Sequence, residues 1–96
     1  MLILVTYDVS TKTPEGEGRL RRVAQVCKDF GQRVQKSVFE CSVDQAQYED
    51  LSRRLVDCID KHEDSIRFYR LVEPRDRYLK VFGLNKSVDF EAPLIF

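Results

Sequence analysis

The 96-residue chain has no tryptophan, one methionine, one histidine, three prolines and four glycines. So little proline and glycine, beside 43% apolar and 33% charged residues, excludes a fibrous or low-complexity chain and describes one compact globular domain. Cys27, Cys41 and Cys58 are odd in number, far apart and without a C-x-x-C pair. That argues against a disulfide framework and against zinc, and fits free thiols in a reducing compartment. No stretch reaches the roughly 18 to 20 uninterrupted apolar residues of a membrane span. The apolar opening Met1 to Val5 runs at once into Thr6, Tyr7 and Asp8, with no basic segment before it and no small-residue cleavage site. A cytoplasmic protein without a membrane partner is expected. Also missing are G-x-x-x-x-G-K-[ST], G-x-G-x-x-G, H-E-x-x-H and the aromatic octamer of an RNA-recognition motif, which sets those classes aside.

Net charge is zero, from sixteen basic and sixteen acidic residues, but the charge is distributed in blocks. Arg19 to Lys36 holds six basic residues against Asp29, a net +5; Asp44 to Asp64 nets −4; Arg67 to Lys86 nets +4. Two basic blocks that met in space would form a surface for phosphates, whereas separate solvated helix faces would carry the same charge without that use.

Met1 to Val9 is a nearly continuous β-branched, aromatic and aliphatic run, the pattern of a central strand buried on both faces. Ser10 to Gly18 reads as a polar loop. Leu20, Val23, Cys27 and Phe30 then mark one helix face, ended by Gly31. Arg33 to Val43 alternates in a β pattern, as one long bent strand or as two strands broken near Ser37. Asp44 with Gln47 forms a capping box for a second helix, whose apolar positions are Tyr48, Leu51, Leu55, Cys58 and Ile59 and which runs to about Lys61. Ser65 to Val72 and Tyr78 to Phe82 read as further strands. The order predicts an α+β, ferredoxin-like β-α-β-β-α-β unit with an additional C-terminal strand. Residues 1–84 would form the domain and 85–96 a tail docked on a partner subunit. A chain this small buries only roughly 60 to 65% of its unfolded surface, and the sheet face without helices needs a cover, so a homodimer is expected.

Asp8 stands at the mouth of the central strand, beside a loop that would admit a ligand, where a hard cation or a phosphate could be held. Position alone favours a plain loop cap over that use. One Asp per chain is few for Mg²⁺; a symmetric dimer would supply two. Arg19, Arg22 and Arg33 could face phosphates with their guanidinium forks, or simply be solvated. Tyr7 alternates to the other strand face from Asp8, and Ser37 is a weaker candidate. His62 ends an acidic helix, where the helix dipole suffices to explain it. Cys27 and Cys58 are read as small core residues.

Val5-Thr6-Tyr7-Asp8-Val9, the basic helix ending at Gly31, and above all Arg33-Val34-Gln35-Lys36-Ser37-Val38-Phe39-Glu40-Cys41 resemble the Cas-two family of small CRISPR-associated proteins. The family often carries an aromatic where Lys36 stands. The resemblance implies a homodimer that takes part in spacer acquisition by bridging the CRISPR spacer integrase. It also implies a Mg²⁺-dependent endonuclease acting on single-stranded RNA or double-stranded DNA. Asp8 would be the metal ligand and, with Tyr7 and Ser37, catalytic; Arg19, Arg22 and Arg33 would contact nucleic acid, and Phe39 would line the site. Two other classes stand beside that reading: an adaptor that only holds DNA, and a regulatory dimer binding a small ligand.

Overall fold

The computed structural model describes residues 1–71 and 80–83. Its elements run β1 (Leu2–Asp8), α1 (Pro14–Phe30), β2 (Gln32–Gln35), β3 (Val38–Ser42), α2 (Gln45–Cys58) and β4 (Ser65–Leu71). They form one antiparallel four-stranded sheet in the order β2-β3-β1-β4, with β1 paired to both β3 and β4. This is the expected α+β, β-α-β-β-α-β unit. The expected strand at Tyr78 to Phe82 and the tail from residue 85 lie largely outside the described residues, and of that strand Lys80 to Phe82 are not in regular structure.

Alternation along β1 divides the sheet into two faces. Ile3, Val5 and Tyr7 turn to one side with Phe39 and Cys41 of β3, and there they meet Val23, Val26 and Cys27 of α1 and Leu51 and Leu55 of α2 in a single core. Both helices therefore cover one face. Tyr48 of α2 meets Phe68 of β4 edge-on at 6.0 Å, while α1 lies over β2 and β3. Leu2, Leu4, Thr6 and Asp8 share the opposite face, open in that neither helix covers it, with Val38, Glu40, Arg67 and Tyr69, although Leu2 and Glu40 are buried there.

The segment read as a loop to Gly18 is half helix. Thr13 caps α1, its side-chain oxygen accepting from the Gly16 amide at 3.1 Å, and Pro14 supplies a preset first helical residue, so the helix begins four residues before Gly18. Gly16 is there for space. A Cβ at that position would stand 2.0 Å from the Ser10 carbonyl oxygen, so the first turn of α1 rests directly on the chain leaving β1. Gly31 caps the other end in extended backbone, and a Cβ there would meet the Glu40 carbonyl oxygen at 2.2 Å, so α1 hands over to β2 in close contact with β3.

The β pattern from Arg33 to Val43 divides at Lys36-Ser37 into β2 and β3, with a register irregularity between Arg33 and Gln35. Among the described residues no non-glycine residue has positive φ. A two-residue turn without left-handed residues does not match the twist of its strands, and the irregularity in β2 takes up the difference. The Asp44–Gln47 capping box forms reciprocally, at 2.7 and 2.9 Å. Helix α2 stops at Cys58 rather than near Lys61, because Asp60 and Asp64 draw the following amides into a turn. His62 thus lies in that turn, exposed, beyond the helix end.

Candidate active site

The C-terminal end of β1 is built from two sides. Toward β4, Asp8 pairs in register with Ser65, and its carboxylate is exposed on the open face. The residue before Ser65 holds this end together. The Asp64 side chain is 0% exposed and accepts from the backbone amides of Ser10 at 3.0 Å and Asp60 at 2.9 Å. It also takes both arms of Arg19, from Nε at 2.7 Å and Nη2 at 3.3 Å. Those guanidinium bonds, helped by the two amides and opposed by burial, lower its pKa from 3.8 to about 2. Asp64 is therefore ionised at neutral pH and ties the loop after β1 to the loop before β4.

Toward β3 the same strand end is held by hydrogen bonds to backbone carbonyls and by ring packing, without a carboxylate. The Tyr7 amide donates to the Ser37 carbonyl at 3.1 Å and the Tyr7 hydroxyl donates to the Lys36 carbonyl at 3.2 Å, so one residue grips both positions of the β2–β3 turn. The Tyr7 ring stacks on Phe39 at 6.2 Å, and the Arg33 guanidinium lies 5.1 Å from the Phe39 ring centre. Burial pushes the Tyr7 phenol above its ordinary 10.0, against the pull of Arg33. Tyr7 at neutral pH is a donor and not a base.

The residues singled out in the sequence fall into separate places. Tyr7, Phe39, Arg33 and Ser37 gather at the β2–β3 corner, Tyr7 and Phe39 on the helix-covered face and Asp8 next to Tyr7 on the open face. Arg19 is engaged by Asp64, while Arg22 is exposed on α1. The basic blocks do not merge among the described residues. Arg21, Arg22 and Lys28 belong to α1, over β2 and β3, whereas Arg67 and Arg70 stand on β4 at the far edge of the sheet. Asp29, the one acid of the first basic block, pairs with Arg54 of α2 at 3.1 Å. Burial raises the Cys27 and Cys41 thiols to about 12 and about 11, so neither is a nucleophile at neutral pH. Sequence reasoning missed Asp64 and Ser10. Asp64 is one of seven acids in its block, and only the pairing of β1 with β4 brings it to Arg19.

Among the described residues no three His, Cys, Asp or Glu side chains cluster as a metal cage. A magnesium site does not require one, since Mg²⁺ commonly takes one or two carboxylates and fills its remaining positions with water and substrate phosphate oxygens. An exposed Asp8 carboxylate on a braced strand end fits that habit.

Element order and sheet topology together define a small ferredoxin-like α+β protein. The family model described as CRISPR associated protein Cas2 matches residues 1–78. A protein of Moorella thermoacetica named CRISPR-associated endoribonuclease Cas2 1 is 63% identical over 95 residues, covering 99% of each chain. One of Halalkalibacterium halodurans named CRISPR-associated endonuclease Cas2 is 48% identical over 96 residues, covering 100% of both. The crystal structure of Streptococcus pyogenes Cas2 at pH 6.5 superposes with a TM-score of 0.78 at 54% identity, covering 86% of this chain and 100% of that one. The chain belongs to the Cas2 family of CRISPR-associated proteins.

Proposed function

We propose that this chain is a Mg²⁺-dependent endonuclease of CRISPR adaptation, hydrolysing phosphodiester bonds of single-stranded RNA or double-stranded DNA as a homodimer in the cytoplasm. The observation that carries the reading is Asp8: the one carboxylate at the end of the central strand, exposed on the open face and braced from both sides. Relatives named endoribonuclease and endonuclease over their full length support the same chemistry. A bound Mg²⁺ neutralises charge on the scissile phosphate and lowers the pKa of its water. Asp8 would hold that ion, and Arg22 and Arg33, both exposed on the helix side of the sheet, would contact phosphates further along the nucleic acid. Tyr7 and Ser37 shape the adjoining turn, with Phe39 beneath it. A second copy of the chain is the natural cover for the open face, where Leu4, Thr6, Val38 and Leu71 are half-buried and Tyr69 is 43% exposed. The dimer would set two Asp8 carboxylates in one assembly and would bridge the spacer integrase. A single carboxylate per chain also suits the plainer reading, an adaptor that holds DNA for the integrase without cutting it.

Cleavage of labelled single-stranded RNA and double-stranded DNA by wild type and Asp8→Asn, with Mg²⁺ and with chelator, tests this. The expected result is metal-dependent cutting that falls roughly a hundredfold or more in a mutant still dimeric by light scattering. Equal or absent cutting in both proteins leaves the adaptor.

A further inference from the structure

We propose that the Arg19–Asp64 pair is a positioning device for Asp8, and that Arg19 serves the site through Asp64 rather than by touching phosphate. The proposal rests on the reading of Asp8 as a metal ligand. Four hydrogen bonds converge on one carboxylate of zero exposure, two from Arg19 and two from backbone amides. One of those amides is Ser10, two residues after Asp8; the other belongs to Asp60, at the start of the turn that leads into β4. Asp64 itself adjoins Ser65, the register partner of Asp8. The chain on either side of Asp8's pairing is thus bound to a single side chain.

The loop has little other freedom. Gly16 of α1 presses on the Ser10 carbonyl, so the peptide units around Ser10 are held by the carboxylate on one side and by the helix on the other. Arg19 lies one turn further along α1, and its two-armed grip sets the carboxylate plane that meets the Ser10 amide. An exposed ligand on a strand end keeps its aim only if its backbone does, and groups behind a metal ligand commonly change affinity by roughly ten- to a hundredfold when removed. Asp64 takes the Nε–Nη2 edge of a guanidinium whose side chain is only 15% exposed, so that edge is not available to a phosphate.

The test is NMR on the full-length protein, wild type and Asp8→Asn, Asp64→Ala and Arg19→Gln, with Mn²⁺ as the probe. Amide exchange is measured at Ser10 and Asp60, and Mn²⁺-induced broadening at residues 6 to 10. Expected in wild type are a protected Ser10 amide and broadening around Asp8, the latter lost in Asp8→Asn. Asp64→Ala should release Ser10 to exchange at least tenfold faster while core amides such as Val5 and Phe39 keep their rates, and should need roughly tenfold more Mn²⁺ for the same broadening. If Asp64→Ala does not fold, Arg19→Gln gives the same readouts with the carboxylate retained. Wild-type Mn²⁺ affinity in folded Asp64→Ala or Arg19→Gln overturns the positioning role. No broadening around Asp8 in wild type overturns the metal reading itself, and the positioning role with it, a result distinct from the first.

Discussion

Strand β1 ends between two braces that do the same task with different forces. On the β3 side Tyr7 grips the turn through neutral hydrogen bonds and a stacked ring, all resting on the fully buried Phe39. On the β4 side a buried carboxylate and a guanidinium hold two loops by charge. Packing is indifferent to pH and salt; a charged clamp exists only while its carboxylate is ionised. The same strand end is therefore held by one brace that acid leaves alone and one that acid removes.

The largest effect is expected where the neutral brace meets the core. Phe39→Ala removes a ring of zero exposure beneath Tyr7 and Arg33, and should cost about 3 to 5 kcal/mol by denaturant unfolding. A loss under about 1 kcal/mol would mean that the corner is not packed as described. On the charged side, Gly16→Ala sets a methyl 2.0 Å from the Ser10 carbonyl. The atom in the way is backbone and cannot swing aside as a side chain would, so about 1 to 3 kcal/mol should be lost, with the start of α1 moved away from Ser10.

Acid separates the braces most directly. Asp64 has a folded pKa of about 2 against an ordinary 3.8, so its contribution is complete above about pH 4 and is lost as pH falls through the folded value. Wild type should lose stability steeply between about pH 4 and pH 2. Asp64→Asn, weaker at neutral pH for want of the ion pair, should show a flatter slope over that window. Parallel acid profiles for the two proteins would show that Asp64 is not the group that titrates.

How much of this could be read beforehand follows from range. The strands, the capping box and the helix faces are local patterns, and Asp8 was legible because a carboxylate closing an apolar run is visible in nine residues. The pairing of Arg19 with Asp64 was not legible because its partner lies 45 residues away, brought near only by the β1–β4 pairing. The start of α1 was missed for a related reason. Gly16 and Gly18 look like loop residues in the sequence, and the contact that demands Gly16 is with backbone six residues earlier. The division of Arg33 to Val43 stayed open because Lys36-Ser37 is a weak turn pair, closed in place by two bonds from Tyr7.

The smallest expected effect sharpens the comparison on the neutral side. Tyr7→Phe keeps the stack on Phe39 and the amide bond to Ser37, and deletes the hydroxyl bond to Lys36 together with the hydroxyl's contact with Arg33. The loss should be about 0.5 to 1.5 kcal/mol, since the freed carbonyl lies at a partly exposed turn where water can replace the donor. Its pH dependence is the more telling part. The Tyr7 phenol stays protonated well past neutrality, so the cost of Tyr7→Phe should be the same at pH 4 and pH 8. A cost that changed across that range would mean that the two braces are coupled, with Tyr7 sensing the charge held across the strand by Asp64.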